Sequence, residues 1–228
     1  MLFRSINNAT FTGLMPSGQP VSNIIQVEIE FYHVFPADSA NPPSGKVPTR
    51  TNSPADVEIG SATRDSAAGT LSFTGSIVNP TFSVANSIVN GIHPIPNQQT
   101  GGEGVVMAEE VQINVSFNPS VLLPADHYFF RPEAITPGAD FLWLSAPRHI
   151  VSPGTPFSQD LQSWIRNDHL APDWLRTGTD IIGGTTTFNA AFSLTGQTVP
   201  EPATVALFGA GMGALLIVGL RRRRSTIR

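Results

Sequence analysis

Residues 203–220 are eighteen in a row without a charge, and Arg221, Arg222, Arg223 and Arg224 follow directly. At roughly 1.5 Å per residue, a helix of this length just spans a hydrocarbon core of about 30 Å. The arginine cluster favours the cytoplasmic side, which places the residues before it beyond the inner membrane. Immediately upstream, Val199-Pro200-Glu201-Pro202 holds two prolines that cannot donate a backbone hydrogen bond and that bias the preceding residue towards extended geometry. A stiff, exposed peptide with one carboxylate is expected there. The chain therefore divides into a polar part that must build its own core and a tail that cannot join it.

Pro200, Glu201 and Pro202, one membrane helix over 203–220 and the basic cluster at 221–224 occur in that order at the chain end. Together they resemble the C-terminal sorting signal of PEP-CTERM proteins, over about the last thirty residues. The resemblance implies export by a Gram-negative bacterium. It also implies recognition and cutting of the tail by an exosortase, a membrane transpeptidase-like enzyme with a Cys nucleophile. Pro200, Glu201 and Pro202 would then be a substrate signal, not a catalytic site. The inner membrane would hold the precursor before release to the cell surface or extracellular matrix. An ordinary C-terminal anchor with a chance Pro-Glu-Pro is the plainer alternative. Two regions follow, a β ectodomain over 1–196 and the sorting signal over 197–228.

Charge separates along the same boundary. Five of the thirteen basic residues lie after the apolar run, leaving eight against sixteen acids before Pro200, a net charge of −8. Nucleic acid, which needs a basic face, is not an expected partner. No cysteine is present, which excludes disulfides, thiolate metal sites and Cys nucleophiles. An exported chain should open with a basic, apolar, small-residue leader. Met1-Leu2-Phe3-Arg4-Ser5 runs straight into Asn7-Asn8 and shows none, so a longer precursor is expected.

Period-two alternation dominates the ectodomain and argues for half-buried strands. Ile25, Val27, Ile29, Phe31, His33 and Phe35 mark one strand, with His33 on its apolar side. Leu71, Phe73, Gly75 and Ile77 mark a second, Phe82 to Ile88 a third after Pro80, and Val111, Ile113, Val115 and Phe117 the clearest. Tyr128 with Phe130, and residues 141–144, predict two more. Phe188, Ala190, Phe192 and Leu194 predict a last strand ending at Gly196, as in other PEP-CTERM proteins, where a Leu-Thr-Gly end and a short tether lead to the tail. Phe157, Leu161, Trp164 and Ile165 fit one short helix capped by Ser158. Twenty glycines and twenty prolines supply the turns. The fold class expected is all-β, an antiparallel β-sandwich of jelly-roll type, plus the C-terminal transmembrane helix.

Two constellations outside the tail carry chemistry. Trp164 and Trp174 with Arg166 and Arg176 could form a platform for stacking sugar rings; alternatively both tryptophans pack inward and the arginines pair with Asp168 and Asp173. Asp38, Asp56, Glu58 and Asp65, in and after the proline-rich loop 36–56, offer oxygen donors suited to calcium, the one metal considered. Their spacing matches no fixed calcium loop, and scattered acids ordinarily solvate a surface. No nucleophile elbow, zinc or P-loop motif is present. The expectation is a non-enzymatic structural or adhesive ectodomain, in contact with exopolysaccharide. A carbohydrate-binding or carbohydrate-cleaving domain is the alternative.

Overall fold

The computed structural model describes residues 2–88, 99–146, 162–184, 187 and 189–200. The apolar run 203–220, Glu201, Pro202, Arg221 to Arg224, Phe157 and Leu161 lie outside them. Among the described residues, no helix is long and apolar enough to cross a membrane. Twelve strands occur: β1 (Leu2–Met15), β2 (Gln26–His33), β3 (Arg64–Asp65), β4 (Leu71–Val84), β5 (Val106–Leu123), β6 (Tyr128–Ile135), β7 (Leu142–Trp143), β8 (Ser145–Ala146), β9 (Trp164–Ile165), β10 (Leu175–Arg176), β11 (Asn189–Ala190) and β12 (Phe192–Pro200). Among the described residues, helical structure is limited to a 3₁₀ turn, Val21–Asn23, and a π-helical turn, Thr177–Ile182. The long strands lie in the order β12-β1-β5-β4, with β7 also pairing with β1. A second sheet runs β3-β2-β6, and β8 with β11 and β9 with β10 form two small ladders. Every pairing is antiparallel.

The alternation works as expected in β2 and β5. Val27, Ile29 and Phe31 of β2 and Val111, Ile113, Val115 and Phe117 of β5 are buried in one cluster with Ile6, Ala9 and Phe11 of β1. The five-stranded and three-stranded sheets thus share a single apolar core, which is the main stabilising term in such a domain. Ile25, expected in the same stripe, lies before β2 and is 62% exposed.

Three expectations are corrected. The central strand β1 was not predicted, because Asn7 breaks its period. Pairing shifts register between Ile6 and Asn8 against both β5 and β12. The even-numbered Ile6 therefore faces the core before the bulge, and the odd-numbered Ala9, Phe11 and Met15 after it. Asn7 Oδ1 accepts a hydrogen bond from Ser120 Oγ at 2.7 Å. The two strands predicted around Pro80 are one strand, β4. It sits at the sheet edge, where the missing proline N–H is tolerated, and it shifts register on either side of Asn79. Trp164 and Ile165 are extended, not the end of a helix. They pair with Arg176 and Leu175, and four apolar residues are too few to separate the two periods.

Candidate functional site

The entry to the tail is built into the sheet. β12 does not stop at Gly196 but continues to Pro200, opposite the start of β1. Gln197 pairs with Ser5, Thr198 with Arg4, Val199 with Phe3 and Pro200 with Leu2. Gly196 makes this continuation feasible. A Cβ there would lie 2.2 Å from the Ser5 carbonyl oxygen, so no larger residue lets the two backbones close. The bulge at Asn7 lies at the same level and divides the β1–β12 ladder into an inner part, residues 192–195, and an outer part, residues 196–200. The strand runs past residue 196, and Val199 and Pro200, where a stiff extended peptide is expected, form its end.

The tryptophan–arginine group does not assemble into one exposed platform. Trp174 is 5% exposed, donates from Nε1 to the Ala55 carbonyl at 3.1 Å and meets the Tyr32 ring edge-on. The Arg166 guanidinium covers the Trp174 ring at 4.2 Å and donates to the Asp56 carbonyl and to Tyr32 Oη. Burial pushes the Tyr32 phenol above its ordinary range, and its hydrogen bond to Glu30 adds to the shift. Arg176 is engaged by Asp180, with Nη2 to Oδ1 at 2.6 Å, rather than by Asp173. Asp173 pairs instead with Arg50, whose Nη1 is 3.0 Å from Oδ1 at an angle that makes an ion pair but no hydrogen bond.

Trp164, Arg166 and Trp174 all border one cleft. The cleft, of about 1240 Å³, is also lined by an aromatic cluster that sequence reasoning missed. Phe130 stacks on Phe192 at 5.0 Å, and Trp143 lies 6.0 Å from each. These three residues come from β6, β7 and β12, so no local pattern groups them. Trp164 Nε1 and Gln162 Oε1 are buried atoms of the cleft lining without hydrogen-bond partners. A cleft lined by several aromatic rings suits a flat ligand.

The four acids proposed for calcium do not converge, although Asp56 and Glu58 border one small cleft. Asp38 bonds His33 Nδ1, Asp56 is buried against Arg50 Nη2 at 2.5 Å, and Asp65 accepts from Gln26 and the Ala67 amide. Glu58 borders a second, small cleft with Asp56, Glu30, Arg131 and Arg166. Among the described residues, no group of three or more His, Cys, Asp or Glu could hold a metal ion. A denser acidic group sits on the outer side of β2 and β6, where Arg131 bridges Glu30 at 2.6 Å and Glu133 at 2.5 Å. Glu28 sits opposite both Asp65 and Glu133; burial raises its carboxyl above the usual range, and Glu30, Asp65 and Glu133 raise it further.

Fold and site together describe an acidic, antiparallel β domain whose edge strand runs directly into a hydrophobic tail. Residues 198–224 match a family model described as the PEP-CTERM protein-sorting motif. The chain therefore carries the sorting motif of an exported protein that is processed at the membrane by an exosortase. No curated protein and no solved structure matches the chain.

Proposed function

We propose that the chain is an inner-membrane-anchored precursor that an exosortase cuts at its tail, releasing a non-enzymatic ectodomain to the cell surface or extracellular matrix. The observation that carries this reading is the match over 198–224, which contains Pro200-Glu201-Pro202, the eighteen-residue apolar run and the arginine cluster. Pro200, Glu201 and Pro202 are the recognition element, and Arg221, Arg222, Arg223 and Arg224 orient the helix over 203–220. The two sheets around one core are a β-sandwich that serves a structural or adhesive role beside exopolysaccharide. No cofactor is needed, and thermal melts with and without a calcium chelator should superimpose; a chelator-dependent shift would return calcium to the account. The sorting step is tested in the producing cells by following C-terminal processing of Glu201→Ala. Accumulation of full-length protein is expected, and unchanged processing would reject the reading.

The cleft lined by Trp164, Phe130, Trp143 and Phe192 favours a second reading, a carbohydrate-binding domain. Losing an aromatic side chain that anchors a ligand typically costs more than about 1 kcal/mol, so Trp164→Ala should weaken glycan binding by roughly five-fold or more. A glycan array on which the domain binds nothing would remove this reading.

A further inference from the structure

We infer that strand β1 withholds the start of the sorting motif from the exosortase, so that the outer part of β12 must peel off the sheet before the tail is cut. The inference rests on the sorting reading and adds a control step to it. The matched segment begins at Thr198, and Thr198, Val199 and Pro200 are paired with Arg4, Phe3 and Leu2. A peptide-cutting enzyme takes its substrate as an extended strand and uses the same backbone N–H and C=O groups that a sheet neighbour uses. Thr198 to Pro200 cannot serve both partners at once.

The ladder is built to open in one part and hold in the other. At Ile6–Asn8 the register shifts, so the outer pairs do not continue the regular inner ladder. The inner part is fastened by side chains and by its approach segment. Phe192 stacks on Phe130, the Ala191 carbonyl accepts from Trp143 Nε1 at 3.0 Å and from the Thr12 amide at 3.2 Å, and the Ala191 amide donates to Leu144 at 2.7 Å. Beyond Gly196 the pairing ends at Pro200, which has no N–H to give. Strand ends commonly open locally without global unfolding. The bulge at Asn7 then acts as the stop: peeling proceeds from Pro200 to Gly196 and halts there.

The absence of cysteine makes a direct test clean. Directly opposed residues of antiparallel strands have Cα atoms about 4.5–5.5 Å apart, within the range a disulfide bridges. Ser5 and Gln197 are such a pair in the outer part, and Asn8 and Thr195 in the inner part. In full-length protein in the producing cells, the oxidised S5C/Q197C pair should slow C-terminal processing at least ten-fold, with recovery on reduction. The oxidised N8C/T195C pair should be processed at the unmodified rate. As the converse, Ser5→Pro removes an N–H from the side of β1 whose carbonyl lies against Gly196, and should speed processing several-fold. Unchanged rates for both the locked S5C/Q197C form and Ser5→Pro would overturn the inference while leaving the sorting step intact. If the unmodified chain is not processed at all, the sorting reading fails and this inference goes with it.

Discussion

The shared core of the two large sheets and the small cluster around Leu170, Leu175 and Ile181 are stabilised by different means. The first is apolar throughout, drawn from strands that alternate buried and exposed residues. The second has three buried apolar residues and is tied to the proline-rich loop 36–56 by charge. Arg50 is buried there between Asp56 and Asp173, lies 4.4 Å over the Phe35 ring and donates to the Pro172 carbonyl at 2.8 Å. Asp173 also accepts from the amide and hydroxyl of Ser44. Where the chain is strand-forming, area removed from water is enough. Where it is loop, the backbone cannot satisfy itself, and buried ions with several partners replace the ladder.

The contrast can be broken most forcefully from the core side. Phe11→Ala removes a fully buried ring between the sheets and should cost about 3–5 kcal/mol in chemical denaturation, lowering the transition for the whole domain. A loss below about 1 kcal/mol would mean that β1 is not part of the common core. On the charged side, Arg50→Met leaves two buried carboxylates without a counter-ion and should cost about 3 kcal/mol. Hydrogen exchange should show that loss concentrated in residues 36–56 and 166–182. Equal loss of protection in β2 and β5 would make the two regions one cooperative unit. The smallest effect sharpens the comparison by pH. Glu28 has its folded pKa raised, so the folded state holds its proton more tightly than the unfolded state does. Stability from this group is gained as pH falls through that raised value and is lost as pH rises above it. Glu28→Gln should therefore flatten the stability profile just above the usual glutamate range, with a gain of about 0.5 kcal/mol or less at neutral pH. A loss at neutral pH would contradict the assignment.

The alternating segments and the tail were legible because each rests on local information. Val27, Ile29 and Phe31, or Val111, Ile113 and Val115, repeat every second residue whatever they pack against. The tail combines a length, a lack of charge and a basic end, which are properties of the segment alone. Strand β1 was not legible, since one extra residue at Asn7 reverses its phase and that extra residue has meaning only beside β5 and β12. The same holds for Trp174, whose ring is covered by Arg166, and for Arg50, whose partners are 6 and 123 positions away in the chain.

From residues alone came a β-rich acidic domain and a membrane-directed tail, because side-chain period, charge and apolar length are additive along the chain. The joining of the two, with Thr198 to Pro200 held by Leu2 to Arg4, came from long-range pairing. Hydrogen-bond partners nearly two hundred residues apart are chosen by the closure of the sheet, and no local preference encodes that choice.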